Sequence, residues 1–157
     1  REGGKGYPCR AIRTKEYLYI RNFDPDRWPA GSPERKHCVR HIRYGEVDPS
    51  PTKTVMMDEP KYAKLADLAF GKRPAEELYL ISNDPHQLRN LADDKEFQKT
   101  RDLLRQQLDD HLKKSGDPRL TGKPALWDYY PFYRAPKFPG WKVAPMPAEF
   151  QKAHKEK

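Results

Sequence analysis

The sequence predicts an α+β fold, in which a small antiparallel sheet carries one long amphipathic helix across one face. Two short runs near the start alternate between aromatic and aliphatic side chains, which is the period-2 pattern of strands. A later stretch repeats leucine every four residues, which gives a helix one apolar side. Because hydrophobic residues make up only 36% of the chain and 16 prolines interrupt it, we expect long loops and an extended C-terminal arm around one modest core.

The sheet is predicted to start with a hairpin. Residues 9–14 and 17–22 are rich in β-branched and aromatic side chains, and the polar residues 14–16 between them form the turn. A third strand is predicted over residues 77–82. The sequence Asn83-Asp84-Pro85 then turns the chain, because Asp can bond nearby backbone and Pro fixes its own φ angle.

Prolines mark the long segment between the second and third strands. Residues 23–51 are predicted to form a loop, because the residue before each proline is disfavoured in a helix. One helix is expected to begin at Ser50-Pro51-Thr52, since proline fits the first helical turn. A second is expected over residues 62–70, and Gly71 should end it.

The longest helix is predicted over residues 94–115. Asp93 and Glu96 are spaced as a capping box, while Gly116 and Pro118 should end the helix. The apolar stripe is expected to consist of Phe97, Leu104, Leu108 and Leu112. Two ion pairs at i,i+4 spacing are expected outside this stripe, Asp109 with Lys113 and Asp110 with Lys114.

Two parts of the chain differ in composition. Residues 1–120 are expected to form the packed unit, and residues 121–157 an aromatic and proline-rich extended arm that lies on a neighbouring surface. The chain starts with neither Met nor an apolar leader, so we expect it to be part of a longer protein. No run of apolar residues approaches the roughly 20 that cross a bilayer, and no membrane partner is expected.

The net charge of +8 predicts an anionic partner. Nucleic acid is not expected, because basic and aromatic residues are not interleaved on a recognisable module. Residues 35–43 concentrate four arginines or lysines and two histidines. We interpret them as a solvated charge run, with a grip on sulfate groups as the alternative.

Cysteine and histidine usage predicts no metal site. His37, Cys38 and His41 lie within five residues, but a structural zinc site needs four convergent ligands and the neighbouring cations oppose a metal ion. An exposed basic loop is the favoured interpretation. Cys9 and Cys38 can either pair or remain separate small hydrophobic residues, and the sequence leaves both open.

Two segments resemble a known family. Tyr7-Pro8-Cys9-Arg10, continuing through residue 20, is similar to an aromatic-Pro-x-Arg start of two strands. Residues 76–79 and 83–92 resemble a Glu-Leu-Tyr-Asp … Asp-Pro-x-Glu-x-x-Asn-Leu-Ala signature, with Leu80 in place of the Asp and Gln87 in place of the Glu. Both segments resemble the C-terminal domain of sulfatases, and the resemblance is closest to the heparan N-sulfatase (sulfamidase) type. The resemblance covers roughly residues 6 to 134, and its signature is interpreted as structural, with Asn90 supporting the turn.

The resemblance implies a part of an enzyme that is not catalytic alone. Sulfatases use a formylglycine made from the Cys of a Cys-x-Pro-Ser-Arg motif, whereas residues 9–13 read Cys-Arg-Ala-Ile-Arg and lack its Pro and Ser. We therefore expect no catalytic residue here. The implied role is an accessory domain that completes the substrate pocket of a sulfohydrolase acting on sulfated glycosaminoglycan sugars, N-sulfoglucosamine being the favoured example.

The partners follow from the same resemblance. They are the N-terminal sulfatase catalytic domain and a sulfated saccharide, with no cofactor in this chain and calcium in the catalytic domain. A periplasmic, secreted or lysosomal location is expected from the family. Since the family's first strand approaches the substrate cleft, Tyr7, Arg10 and Arg13 are the expected substrate-binding residues. Arg10 is the first choice, with a salt bridge inside the fold as its alternative role.

The second functional hypothesis belongs to a different class. The chain can be a free-standing binding module for an anionic polysaccharide, which its net charge alone would support.

Overall fold

A computed structural model describes residues 6–34 and 42–120, together with positions 129, 145, 146, 148 and 151. The strands are β1 (Cys9–Arg13), β2 (Tyr17–Asn22) and β3 (Glu76–Leu80). The helices are α1 (Pro51–Asp58), α2 (Ala63–Phe70) and α3 (Gln98–Ser115). The expected α+β architecture is confirmed. Most of the basic run 35–43 and most of the arm 121–157 lie outside the described residues, so the division at residue 120 stays a prediction.

The three strands form one antiparallel sheet in the order β1-β2-β3. Thr14 closes the predicted hairpin, because its Oγ1 accepts hydrogen bonds from the backbone N–H groups of Glu16 at 3.2 Å and Tyr17 at 2.9 Å. The third strand ends at Leu80, earlier than predicted. Its carbonyl accepts the N–H groups of Asn83 and Asp84, and this turns the chain away from the sheet.

Helix α3 packs across one face of the sheet. Tyr19 and Leu78 lie opposite each other on β2 and β3, and both are fully buried. The predicted apolar stripe of α3 covers them, since residues four apart lie on one side of a helix. Its buried leucines are Leu104, Leu108 and Leu112. Phe97 packs at the edge of this core, with its ring 6.5 Å from that of Tyr17.

The two ends of α3 show why the helix has these limits. A short 3₁₀ turn, Lys95–Phe97, precedes it, and Asp94 Oδ1 accepts the N–H of Glu96 at 3.1 Å. The cap predicted at Asp93 is therefore wrong by one residue. Gly116 ends the helix as predicted, with a φ of 68°, a left-handed conformation that favours glycine.

Ion pairs tie α3 to the sheet. Asp109 pairs with Arg21 on β2, so the predicted Asp109–Lys113 pair is wrong. The Asp110–Lys114 pair is likewise not formed within the described part of the chain, where both residues are exposed. The i,i+4 spacing allowed both pairs, but a tertiary partner on the sheet displaced one of them.

Helices α1 and α2 follow the long loop. Ser50 caps α1 as predicted, with its Oγ accepting the N–H of Lys53 at 3.1 Å. Helix α2 ends at Gly71, where a Cβ atom would collide with the backbone carbonyl and the carboxylate of Asp67. Over the described residues, no helix combines the length and apolar character that a bilayer crossing requires.

Candidate functional site

The three expected substrate-binding residues lie along the first strand but not on one surface. Arg10 and Arg13 both belong to β1, and residues an odd number apart in a strand point to opposite faces. Ile12 packs against the core beneath α3, so Arg10 shares that side of the sheet and Arg13 lies on the other. The structure therefore does not bring the two arginines together in one cluster.

Arg10 is held by a carboxylate from the far end of the domain. Its Nε donates to Asp117 Oδ2 at 2.7 Å, and its Nη1 donates to the Cys9 carbonyl at 2.8 Å. Burial alone would raise the pKa of Asp117, but the hydrogen bonds from Arg10 and the Arg119 N–H outweigh it and lower that pKa. The internal salt bridge considered as the alternative role of Arg10 is present, and it fixes β1 to the residues that follow α3.

Arg13 presents its guanidinium to solvent. The residue is exposed, and its side chain forms no ion pair or hydrogen bond with the described part of the chain. An arginine in this state offers a fork of five N–H donors that suits a sulfate or a carboxylate.

Tyr7 carries a hydroxyl that is shielded from solvent. Within the described residues this hydroxyl has no hydrogen-bond partner. Burial and the nearby Glu77 carboxylate raise the pKa of Tyr7 to about 12, so the phenol remains a protonated donor at neutral pH. A buried donor without an acceptor costs folding free energy.

A buried polar cluster lies on the sheet face opposite α3, and the sequence did not predict it. Glu77 is only 6% exposed, yet its two carboxylate oxygens accept hydrogen bonds from the Asn22 amide at 2.8 Å and the Tyr79 hydroxyl at 2.5 Å. Burial and that bond to Glu77 raise the pKa of Tyr79. Glu77 follows another glutamate in the sequence, so nothing local distinguished the buried one from the surface one.

The family-like signature has the structural role that we predicted for it. Asp84 accepts the N–H groups of Leu88 at 3.0 Å and Arg89 at 2.8 Å, which closes the turn. Asn90 then bonds the β3 backbone before the turn and the Ala92 N–H after it, which fixes the turn against β3. These contacts explain why Asp and Asn occupy their places, and they involve no catalytic group.

The thiol among the described residues is that of Cys9. No group of three or more His, Cys, Asp or Glu side chains in the part of the chain that the structure covers is arranged to hold a metal ion. Cys9 is exposed at the start of β1. The segment with His37, Cys38 and His41 lies outside the described residues, so both its zinc alternative and a Cys9–Cys38 pair remain untested.

Comparison with known proteins gives one partial sequence relationship. No family model matches the chain. Over 111 residues it is 30% identical to an ulvan-active sulfatase of Formosa agariphila, and the alignment covers 69% of this chain but 17% of that sulfatase. The chain thus corresponds to a small part of its relative. This sequence similarity supports a sulfatase-related domain.

Proposed function

We propose that the chain is the C-terminal accessory domain of a sulfatase and completes the substrate pocket of a catalytic domain. The observation that carries this proposal is the 30% identity to a sulfatase, confined to 17% of that protein. The 157-residue sequence contains no Cys-x-Pro-Ser-Arg motif, so the nucleophile would come from the catalytic domain. We assign the calcium implied by the family resemblance to that same domain and no cofactor to this chain.

The substrate that we propose is a sulfated sugar of a polysaccharide. The family resemblance points to glycosaminoglycans, with N-sulfoglucosamine of heparan sulfate as the example. The relative found by comparison is named for ulvan, so it gives no support to the heparan N-sulfatase type. Heparan-derived and ulvan-derived oligosaccharides are therefore the two substrates to compare.

Arg13 is the residue that we propose to contact the sulfate. Its guanidinium is exposed and has no partner among the described side chains, whereas Arg10 already bonds Asp117. Arg10 would act as a positioning residue that holds β1 in place. The Tyr7 hydroxyl is shielded from solvent, so it would contact a sugar or sulfate oxygen only if neighbouring side chains moved.

The test begins with the gene that encodes this chain. We expect a Cys-x-Pro-Ser-Arg or Ser-x-Pro-Ser-Arg motif upstream of residue 1, and sulfate release by the full-length protein. Arg13→Ala in that protein should lower kcat/KM about tenfold or more, because a hydrogen bond to a charged group contributes about 1.5–3 kcal/mol. Arg89→Ala is the matched control, because it also removes one arginine. The Arg89 side chain is 78% exposed, and its nearest carboxylate, that of Asp94, lies 3.7 Å away.

Two results would contradict the proposal. The first is a complete reading frame without a sulfatase motif. The second is an equal effect of the Arg13 and Arg89 variants on sulfate release.

A free-standing module for anionic polysaccharide is the second candidate, and the net charge of +8 favours it. Retention of the chain on immobilised heparin separates two cases. Binding by general electrostatics would weaken equally for every sugar as salt shortens the screening length from about 10 Å at 0.1 M to about 3 Å at 1 M. A preference among oligosaccharides of equal charge, kept at moderate salt, would support a defined site.

A further inference from the structure

A cavity of about 330 Å³ lies beside α1 and α2, outside the core formed by the sheet and α3. Pockets that hold small ligands begin at about this volume. Its lining includes two aromatic residues, Trp28 and Tyr44, and four charged residues, Arg43, Asp58, Glu59 and Asp67. None of these residues belongs to the substrate-contact set proposed above.

The aromatic wall is held in place by its neighbours. Tyr44 has a φ of 49°, a left-handed conformation that is uncommon for a bulky residue and costs about 1–3 kcal/mol. Lys53, which is 3% exposed, donates to the carbonyls of Tyr44 at 2.8 Å and Val47 at 2.7 Å. The Tyr44 ring stacks on Phe70 at 5.0 Å and meets Trp28 edge-on at 6.0 Å. The wall is therefore preformed.

The charges argue against an anionic ligand. Three of the four charged residues that line the cavity carry carboxylates. Asp58 lies 3.8 Å from Arg43, whereas the Asp67 carboxylate has no ion-pair partner among the described residues. A sulfate group brought against these carboxylates would be repelled at short range.

An organic cation would compete with positive charges that already lie at the cavity. Aromatic rings attract cations, but the Lys72 ammonium already lies 5.4 Å from the centre of the Trp28 ring. The Arg43 guanidinium contributes a second positive charge to the lining. An uncharged ligand with hydroxyl groups avoids both conflicts: its carbon-bound hydrogens suit the rings, and its hydroxyls donate to the carboxylates, which only accept hydrogen bonds.

We propose that this cavity binds an uncharged sugar unit of a polysaccharide chain. Asp58 and Asp67 accept hydrogen bonds from its hydroxyls, and Trp28 and Tyr44 pack against its carbon face. This proposal rests on the proposed function, which supplies the sugar: a polysaccharide substrate contains unsulfated units beside its sulfated ones. The cavity would be a second contact region. It would bind a neutral sugar unit, whereas Arg13 is proposed to bind a sulfate group.

The experiment titrates the ¹⁵N-labelled chain with neutral oligosaccharides of glucose, galactose, mannose and xylose. The indole N–H signal of Trp28, assigned with Trp28→Phe, should shift with at least one of them. Asp67→Asn keeps the shape of the side chain and should weaken binding at least about fivefold, because it removes a charged acceptor. Asp110→Asn on the exposed side of α3 is the matched control and should leave binding unchanged.

Folding and function are separated by two further measurements. If Asp67→Asn lowers the thermal midpoint, Asp58→Asn replaces it, because the Asp58 side chain is 61% exposed. No shift of the Trp28 signal with any neutral sugar would overturn the proposal, as would binding that neither Asn variant weakens, or binding of putrescine in place of sugars. Sulfate release plays no part in this assay, so sugar binding can persist even if the accessory role proposed above fails.

Discussion

Asn90 joins β3 to the backbone after the turn through one side-chain amide. Its Oδ1 accepts the N–H groups of Leu78 at 2.8 Å and Ala92 at 3.0 Å, and its Nδ2 donates to the Glu76 carbonyl at 3.1 Å. The amide thus takes the place of a neighbouring strand along the free edge of β3. An edge with satisfied backbone groups is also protected from pairing with another chain.

Replacing Asn90 with Ala should lower the free energy of unfolding by about 1–3 kcal/mol, because the Leu78 N–H would lose its partner in a buried position. Urea denaturation of the chain measures this. Asn83→Ala is the control, since Asn83 is exposed and its Oδ1 accepts only from the Ser82 hydroxyl at 3.2 Å. Equal losses for the two variants would show that Asn90 does not have this bridging role.

At the scale of elements, α3 presents leucines to two different environments. Leu108 is buried against the sheet, while Leu103 on the same helix is 56% exposed. Leu108→Ala should destabilise the chain by about 2–5 kcal/mol, because it leaves a cavity as well as losing buried apolar area. Leu103→Ala should change stability by no more than about 0.5 kcal/mol. Thermal or urea unfolding of both variants checks the difference, and similar losses would mean that α3 does not pack as described.

Elements with a local signal were predicted from the sequence. The strand alternation, the leucine spacing of α3 and the Gly116 stop all depend on neighbours within a few residues. The predicted partner of Asp109 was wrong because Arg21 comes from a distant strand. The buried state of Glu77 was missed for the same reason, since its partner Asn22 lies on another strand.

The candidate site shows the same limit. The resemblance placed Tyr7, Arg10 and Arg13 in one set, but strand geometry separates the two arginines onto opposite faces. The cavity was not predicted at all. Trp28, Tyr44 and Asp67 come from separate segments, and only tertiary packing brings them to one lining.

Across the whole molecule, carboxylates connect the sheet to α3 and to the residues after it. Arg105 of α3 donates to both oxygens of Glu76 on β3, and Asp117 accepts from Arg10 on β1. Burial alone would raise the pKa of Glu76, but the hydrogen bonds from Arg105 and Tyr19 outweigh it and lower that pKa. Together with the Arg21–Asp109 pair of β2, these contacts tie all three strands to α3 or to the residues after it through carboxylates.

Stability should therefore decline in acid. A carboxyl whose pKa is lower in the folded state contributes stability above its unfolded pKa of about 4 and loses it as pH falls through the folded value. The free energy of unfolding should be steady near neutrality and fall below about pH 4, as urea midpoints between pH 7 and pH 2 would show.

The same series should single out Glu76. The difference in the free energy of unfolding between the native chain and Glu76→Gln should disappear as pH falls. Protonation of Glu76 removes the same negative charge that the substitution removes. Glu96→Gln, at an exposed position, should follow the native curve. A difference for Glu76→Gln that stays constant with pH would contradict this account.

Strands β2 and β3 are neighbours in the sheet although residues 23–75 separate them in sequence. The entropy lost on closing a loop grows only with the logarithm of its length, about 0.6 kcal/mol for each doubling. Insertions in the loops of that excursion, outside α1 and α2, therefore cost little, whereas the hairpin turn at residues 14–16 depends on one threonine and has no spare residue. Length variation among descendants of this architecture should collect in the excursion and leave the hairpin unchanged.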